Sequence, residues 1–186
     1  PAGLQSTVIN FSNAMLQSSV NSFGSVAMAG YTAANNIFGF LYAAANSVTQ
    51  ACMSFTSQNY GVGKLKRMDK VLVNCMILTV GVSFSLGFGA WFFGSGLLRI
   101  YTSEADVIAC GLEILAFTTV PYFLCGIMDL FPGALRGMGD VMIPTLITLL
   151  GVCVLRLIWI AVVLQISPTV NAIIYSYPVT WIATAV

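Results

Sequence analysis

Apolar residues run along this chain in long stretches, separated by short clusters of Gly, Ser, Asn or charged residues. The stretches predict six helical spans, at about 3–20, 26–59, 71–93, 107–130, 141–164 and 171–186. A bilayer core of roughly 30 Å takes about 20 apolar residues of helix, whereas a membrane strand is about half that length and alternates strictly. These runs are too long and too unbroken for strands. The expected fold class is therefore all-α and integral to a membrane, a bundle of six transmembrane helices. Asn21-Ser22-Phe23-Gly24, Tyr60-Gly61-Val62-Gly63 and Gly94-Ser95-Gly96 close the first three spans. Pro121, inside the fourth, removes one helical hydrogen bond and predicts a kink. Pro1 opens directly into an amphipathic stretch and the last apolar run is still in progress at Val186, so both ends are expected to be cuts in a longer protein.

Within lipid the polar positions are the informative ones. The first span carries Ser6, Asn10, Asn13 and Gln17 at intervals of 4, 3 and 4, which stacks them on one helical face. In the second span Asn35, Tyr42, Asn46 and Thr49 form a stripe, with Asn36, Gln50, Ser54 and Ser57 beside it. The fourth repeats the arrangement with Thr118, Tyr122, Cys125 and Asp129. Two explanations compete. Such residues can hydrogen-bond across helix seams for roughly 1 kcal/mol each, or they can line a water-filled cavity. Three aligned stripes exceed what a tight seam needs and favour the cavity, with Ser6, Asn10, Asn13, Gln17, Asn35, Tyr42, Asn46, Gln50, Thr118, Tyr122 and Cys125 as its expected lining. Tyr42, Met53, Tyr122 and Met128 would suit flat or greasy ligands, although the same residue types fill ordinary cores.

Composition agrees with membrane burial. Hydrophobic residues are 58% of the 186 and charged residues 7%, with a mean hydropathy of +0.91. A soluble domain carries roughly a quarter charged residues. The distribution of charge is more telling than its sum. Lys64, Lys66, Arg67 and Lys70 follow the second span and Arg136 the fourth, against Arg99 alone on the opposite side. Positive residues concentrate in cytoplasmic loops, so the connections after spans two and four are expected in the cytoplasm of a multi-pass cell-membrane protein. Five scattered cysteines, no Cys-x-x-Cys and no histidine leave a zinc site, a disulfide framework and ordinary hydrolytic catalysis without support. No Gly-x-x-x-x-Gly-Lys-Ser/Thr run exists, so ATP hydrolysis by this chain is not expected. No cofactor, nucleic-acid or enzymatic role is indicated.

Three charges fall inside spans, where each costs about 3 kcal/mol or more near the midplane. Glu113 and Arg156 lie at similar depth when spans four and five are run in opposite directions, and are expected to form a structural ion pair. Asp129 sits on the polar stripe of span four with only Arg136 near its depth, which makes it a candidate proton or cation site. Arg136-Gly137-Met138-Gly139-Asp140 followed by Pro144 reads as a tight cytoplasmic connection, with glycines permitting the turn and Asp140 capping the fifth span.

The order of these features resembles one family. Pro1 opening span one, Asn21-x-x-Gly24 before a long second helix and Gln58-Asn59-x-Gly61 before a basic loop are similar to multidrug and toxic compound extrusion (MATE) transporters. So are Tyr101-Thr102 ahead of span four and Ala134-Leu135-Arg136-Gly137-x-Gly139-Asp140-x-x-x-Pro144 after it. The resemblance implies one lobe, helices seven to twelve, of a twelve-helix exporter whose other six-helix lobe lies elsewhere in the same chain. It further implies export of small amphipathic or cationic substrates in exchange for Na+ or H+, by rocking of the lobes. The lobe's cavity would then be lined by its first, second and fourth helices. Some members place an acid in the first helix of this lobe and another in the fourth. Those positions fall on Ile9 and Cys125 here, so either Asp129, one turn further along, substitutes, or coupling resides in the other lobe. A lipid-linked saccharide flippase of the same superfamily and a membrane scaffold without transport are the alternatives.

Overall fold

The computed structural model describes residues 2–166 and 169–185, with the side chains at 2–6, 164 and 185 outside the described set. Among the described residues every regular element is helical. The first rod is α1 (Ala2–Asn21) and the second α2 (Ser25–Gly61). Helix α3 (Leu65–Phe92) is followed by the short α4 (Gly94–Leu98), and α5 (Ala105–Thr119) by α6 (Tyr122–Gly137). Helix α7 (Met142–Thr148) runs through a π-helical segment (Leu149–Val154) into α8 (Leu155–Ile166). Two short helices, α9 (Val170–Ile174) and α10 (Ser176–Ala185), complete the chain.

Among the described residues two helices are long and apolar enough to cross a membrane, Leu65–Phe92 and Met142–Val163, with mean hydropathies of 2.0 and 2.6. The α5–α6 pair qualifies as a third if its two halves are one span bent by 46°. That bend falls at Val120–Pro121, where the proline ring displaces a carbonyl and withholds an N–H. Length does not hold back α1 and α2, which have 20 and 37 residues. Their polar stripes dilute the apolar face. Apolar composition thus carries three of the six expected spans, and the rods of α1, α2 and α9–α10 are polar-striped or broken.

Helix α2 is the axis of the bundle and packs along α3, α5 and α6. Its approach to α6 rests on Gly133 and Gly137, four residues apart and therefore on one face. A Cβ at Gly137 would stand 2.6 Å from the Met53 carbonyl oxygen, and one at Gly133 would stand 2.7 Å from Thr49 Cγ2. Small residues spaced this way let helix backbones close up where lipid supplies no hydrophobic drive. Gly137 therefore belongs to the seam and still lies within α6, whereas the turn itself is made at Gly139, whose φ of +94° no side-chain-bearing residue adopts cheaply. There the Asp140 N–H donates to the Leu135 carbonyl at 3.1 Å, and Asp140 Oδ1 accepts from the Ile143 N–H at 3.3 Å.

The main core joins Leu16 and Val20 of α1, Tyr31, Ile37 and Leu41 of α2, and Ile173, Ile174, Tyr177 and Trp181 of α9–α10. A second, smaller cluster sets Cys52 of α2 and Cys75 of α3 against Leu130 and Ala134 of α6. All five cysteines are free thiols. Large apolar side chains such as Phe40, Ile77, Leu78, Phe92 and Ile158 remain exposed on the outside. That outward display is the arrangement a lipid solvent favours.

Candidate functional site

A cavity of about 610 Å³ opens between α1, α2, α6, the α7–π–α8 rod and α10. Asn10, Asn13 and Gln17 face it from α1, Asn35 and Tyr42 from α2, and Cys125, Met128 and Asp129 from α6. The spacings of 3, 4 and 7 between these positions keep each set on one helical face, which is why the stripes converge. Beside it lies a second cavity of about 100 Å³, lined among others by Asn46, Thr49, Gln50, Met53 and Arg136. Ile9, Tyr42, Asp129 and Thr148 belong to both linings and so form the waist between them.

Six of the eleven expected lining residues are brought together in the larger cavity, and five depart. The Ser6 side chain lies outside the described residues. Asn46 and Gln50 face the smaller cavity. Thr118 borders only a niche of about 10 Å³ and donates its hydroxyl to the Ile114 carbonyl at 2.8 Å, a bond that satisfies it within its own helix. Tyr122 is fully buried behind the wall, where its ring meets Phe38 edge-on at 5.0 Å and Trp181 at 6.1 Å. The α6 stripe thus turns into the core at its first residue, where the Phe38 and Trp181 rings cover Tyr122.

The expected Glu113–Arg156 ion pair is not formed. Glu113 is exposed on α5 and its carboxylate accepts from Asn171 Nδ2 at 2.7 Å. Arg156 is 3% exposed and points into the bundle. Its Nη1 donates to Asn13 Oδ1 at 3.2 Å and its Nη2 to Thr180 Oγ1 at 3.3 Å, while the guanidinium carbon lies 4.5 Å from the centre of the Tyr177 ring. Counting residues from the span ends fixes neither helix offset nor rotation. Glu113 faces out and meets the α9 end of the terminal rod at Asn171, whereas Arg156 faces in and meets α10 nine residues further on at Thr180, so neutral residues serve each of them.

The fifth and sixth spans also contribute to the cavity, beyond the three helices expected. Thr148, Val152 and Arg156 line it at intervals of four, and Tyr177 and Trp181 do so from α10. In a straight α-helix residues eight apart drift around the axis. The intervening π segment holds more residues per turn, so 148, 152 and 156 stay near one face. The same spacing is visible in the sequence as Thr148…Arg156 and as Tyr177, Trp181 and Thr184, but the apolar residues between them mask it. Phe38 closes the wall, stacked on Trp181 with their rings 4° from parallel. Behind them the hydroxyls of Tyr31 and Tyr177 share a hydrogen bond of 2.9 Å that ties α2 to α10.

Asp129 stands at the waist next to Ile9 and within a turn of Cys125, and the charge that acts on it is that of Arg136, which lines the smaller cavity with it. The described residues include no cluster of His, Cys, Asp and Glu able to hold a metal ion. The arrangement can take up a small amphiphile, with amides and hydroxyls on one side, aromatic faces on another and one charge of each sign.

Comparison with known proteins agrees with this architecture. The chain is 28% identical over 156 residues to the probable multidrug resistance protein YpnP of Bacillus subtilis, covering 84% of this chain and 35% of that protein. It is 25% identical over 150 residues to the probable multidrug resistance protein NorM of Thermotoga maritima, covering 81% and 31%. The chain therefore spans about a third of the length of these curated relatives. Its fold superposes on the Vibrio cholerae MATE transporter VcmN with a TM-score of 0.89 at 17% identity, over 99% of this chain and 42% of that one. An outward-facing multidrug resistance MATE family transporter of the MOP superfamily matches with a TM-score of 0.90 at 13% identity, over 100% and 42%. The family model described as MatE matches residues 1–162, and the chain belongs to that family.

Proposed function

We propose that this chain is one six-helix lobe, helices seven to twelve, of a multidrug exporter, and that its cavity is this lobe's half of the substrate pathway. The observation that carries the reading is the 610 Å³ cavity on which polar stripes from separate helices converge, with Asp129 at its waist. A scaffold held by tight seams has no need of such a space. The substrates are small amphipathic or cationic molecules, exchanged for Na+ or H+ while the two lobes rock about the site. The partner lobe belongs to the same protein, in keeping with a chain that covers about a third of its relatives. The lobe sits in the cell membrane, its connections after spans two and four in the cytoplasm. The protein carries out no chemistry on its substrate and needs no cofactor.

Asp129 is the coupling residue in this reading. It is a carboxylate without a hydrogen-bonding partner among the described residues, beside the positions where some relatives are expected to carry their acids. The test is expression of the full-length protein in cells lacking their own exporters, with accumulation of a cationic dye followed under imposed Na+ or proton gradients. Lower accumulation that collapses with the gradient is expected. Unchanged accumulation of several dyes under both gradients would sink the proposal.

A further inference from the structure

The charge that the exporter reading leaves unused is Arg156. Arginine stays protonated in proteins, and an unpaired charge inside a membrane bundle is expensive. This chain offers it no carboxylate. Of the six acids, Asp69, Glu104, Asp106 and Asp140 lie at or near the helix connections, Glu113 is held by Asn171, and Asp129 forms no ion pair with Arg156. What faces the guanidinium is neutral: Asn13 from α1, and Thr180 and the Tyr177 ring from α10. Both hydrogen bonds are long, at 3.2 and 3.3 Å, and the buried Nε–H has no hydrogen-bond partner among the described residues. The planar fork of five N–H donors matches a carboxylate or phosphate better than it matches an amide and a hydroxyl.

We propose that Arg156 is an anion-recognition residue of the cavity, taking the carboxylate or phosphate of an amphiphile whose ring or chain lies against Phe38 and Trp181. The aromatic pair and Arg156 line the same space, and the π segment keeps the guanidinium turned toward it. Asn13 and Thr180 hold the fork in place and Tyr177 stacks beneath it. The proposal depends on the exporter reading only in requiring that the cavity admit a ligand, and it adds an anionic substrate class to the cationic one.

The test uses the purified full-length protein in phosphatidylcholine nanodiscs and three probes that share one fluorophore: dansylglycine (anionic), dansylglycinamide (neutral) and dansylcadaverine (cationic). Binding is read from dansyl emission. Dansylglycine is expected to bind about tenfold more tightly than dansylglycinamide, the worth of one hydrogen-bonded charge contact. Arg156→Gln should bring the two within about twofold by weakening only the anion, and Arg156→Lys should retain part of the preference. Equal binding of the anionic and neutral probes to the unmodified protein overturns the proposal without recourse to any variant, as it would if a carboxylate of the other lobe already neutralised Arg156. A preference that survives Arg156→Gln in a folded variant overturns it too. Repeating the titration with phosphatidylglycerol in the nanodisc separates two sources of the anion. Competition assigns the site to a lipid headgroup, and its absence to a dissolved amphiphile. A protein that binds dansylglycine through Arg156 but leaves dye accumulation unchanged keeps this proposal and loses the exporter reading. The reverse result does the opposite.

Discussion

Replacing Gly137 by alanine should loosen the whole cavity-bearing half of the lobe, because the seam between α2 and α6 has no room for one carbon. The added Cβ would meet the Met53 carbonyl oxygen at 2.6 Å, Thr56 Cβ at 3.1 Å and Met53 Cα at 3.3 Å. Non-bonded heavy atoms rest at about 3.5–4.0 Å, so α6 must retreat from α2 by most of an ångström. Two of the three obstacles are backbone atoms of a neighbouring helix, which no rotamer change can clear. Overpacking of this kind costs about 1–3 kcal/mol, partly offset by the better helix propensity of alanine. A net loss of about 1–2 kcal/mol is expected, read from equilibrium denaturant unfolding of the purified protein in micelles. Gly133→Ala makes the internal comparison. Its Cβ would meet the Thr49 Cγ2 methyl at 2.7 Å, with the Thr49 carbonyl no nearer than 3.5 Å. Thr49→Ser removes that methyl and should restore most of the Gly133→Ala loss, whereas no side-chain truncation should restore Gly137→Ala. Gly81→Ala, which has nothing within 4 Å of its Cβ, serves as the control. If Gly137→Ala unfolds no more easily than Gly81→Ala, the close-approach account of this seam is wrong.

Asp129→Asn in the full-length exporter should leave dye binding in place but uncouple efflux from the ion gradient, a split that transport and binding assays on the same preparation can measure; fully coupled transport by the variant removes Asp129 from the mechanism. Tyr177→Phe keeps the ring beneath Arg156 but removes its hydrogen bond to the Tyr31 hydroxyl, which is left with the Asn35 side chain, so a loss of about 1 kcal/mol is expected. The Tyr31→Phe, Tyr177→Phe double variant should lose less than the two single losses added together, and a simple sum would refute the pairing. For orientation, trypsin should cut the exposed Lys64–Arg67 connection in inside-out vesicles and spare it in right-side-out ones; cleavage from the outside reverses the assigned topology.

Hydropathy and polar spacing alone identify a helical membrane protein, the kink at Pro121 and the cavity faces of α1 and α2, because each depends on periodicity along a single helix. The Leu135–Pro144 turn is legible for the same reason, since a positive φ at Gly139 and a side-chain cap from Asp140 are local events. What one helix does relative to another is not encoded in its own period. Counting residues from the span ends pairs Glu113 with Arg156, but counting fixes neither rotation nor helix offset, and the fold turns one outward to Asn171 and the other inward to Asn13 and Thr180. Tyr122 reads as a cavity residue from its spacing, and becomes core because Phe38 of α2 and Trp181 of α10 close over its ring. The contributions of the fifth and sixth rods were hidden among apolar neighbours until a π segment aligned Thr148, Val152 and Arg156 and the packing of α10 brought Tyr177 and Trp181 against Phe38. The sequence by itself determined which faces are polar. Only the tertiary structure decided which of those faces meet, because the meeting depends on helix rotation, a bend and a seam two glycines wide.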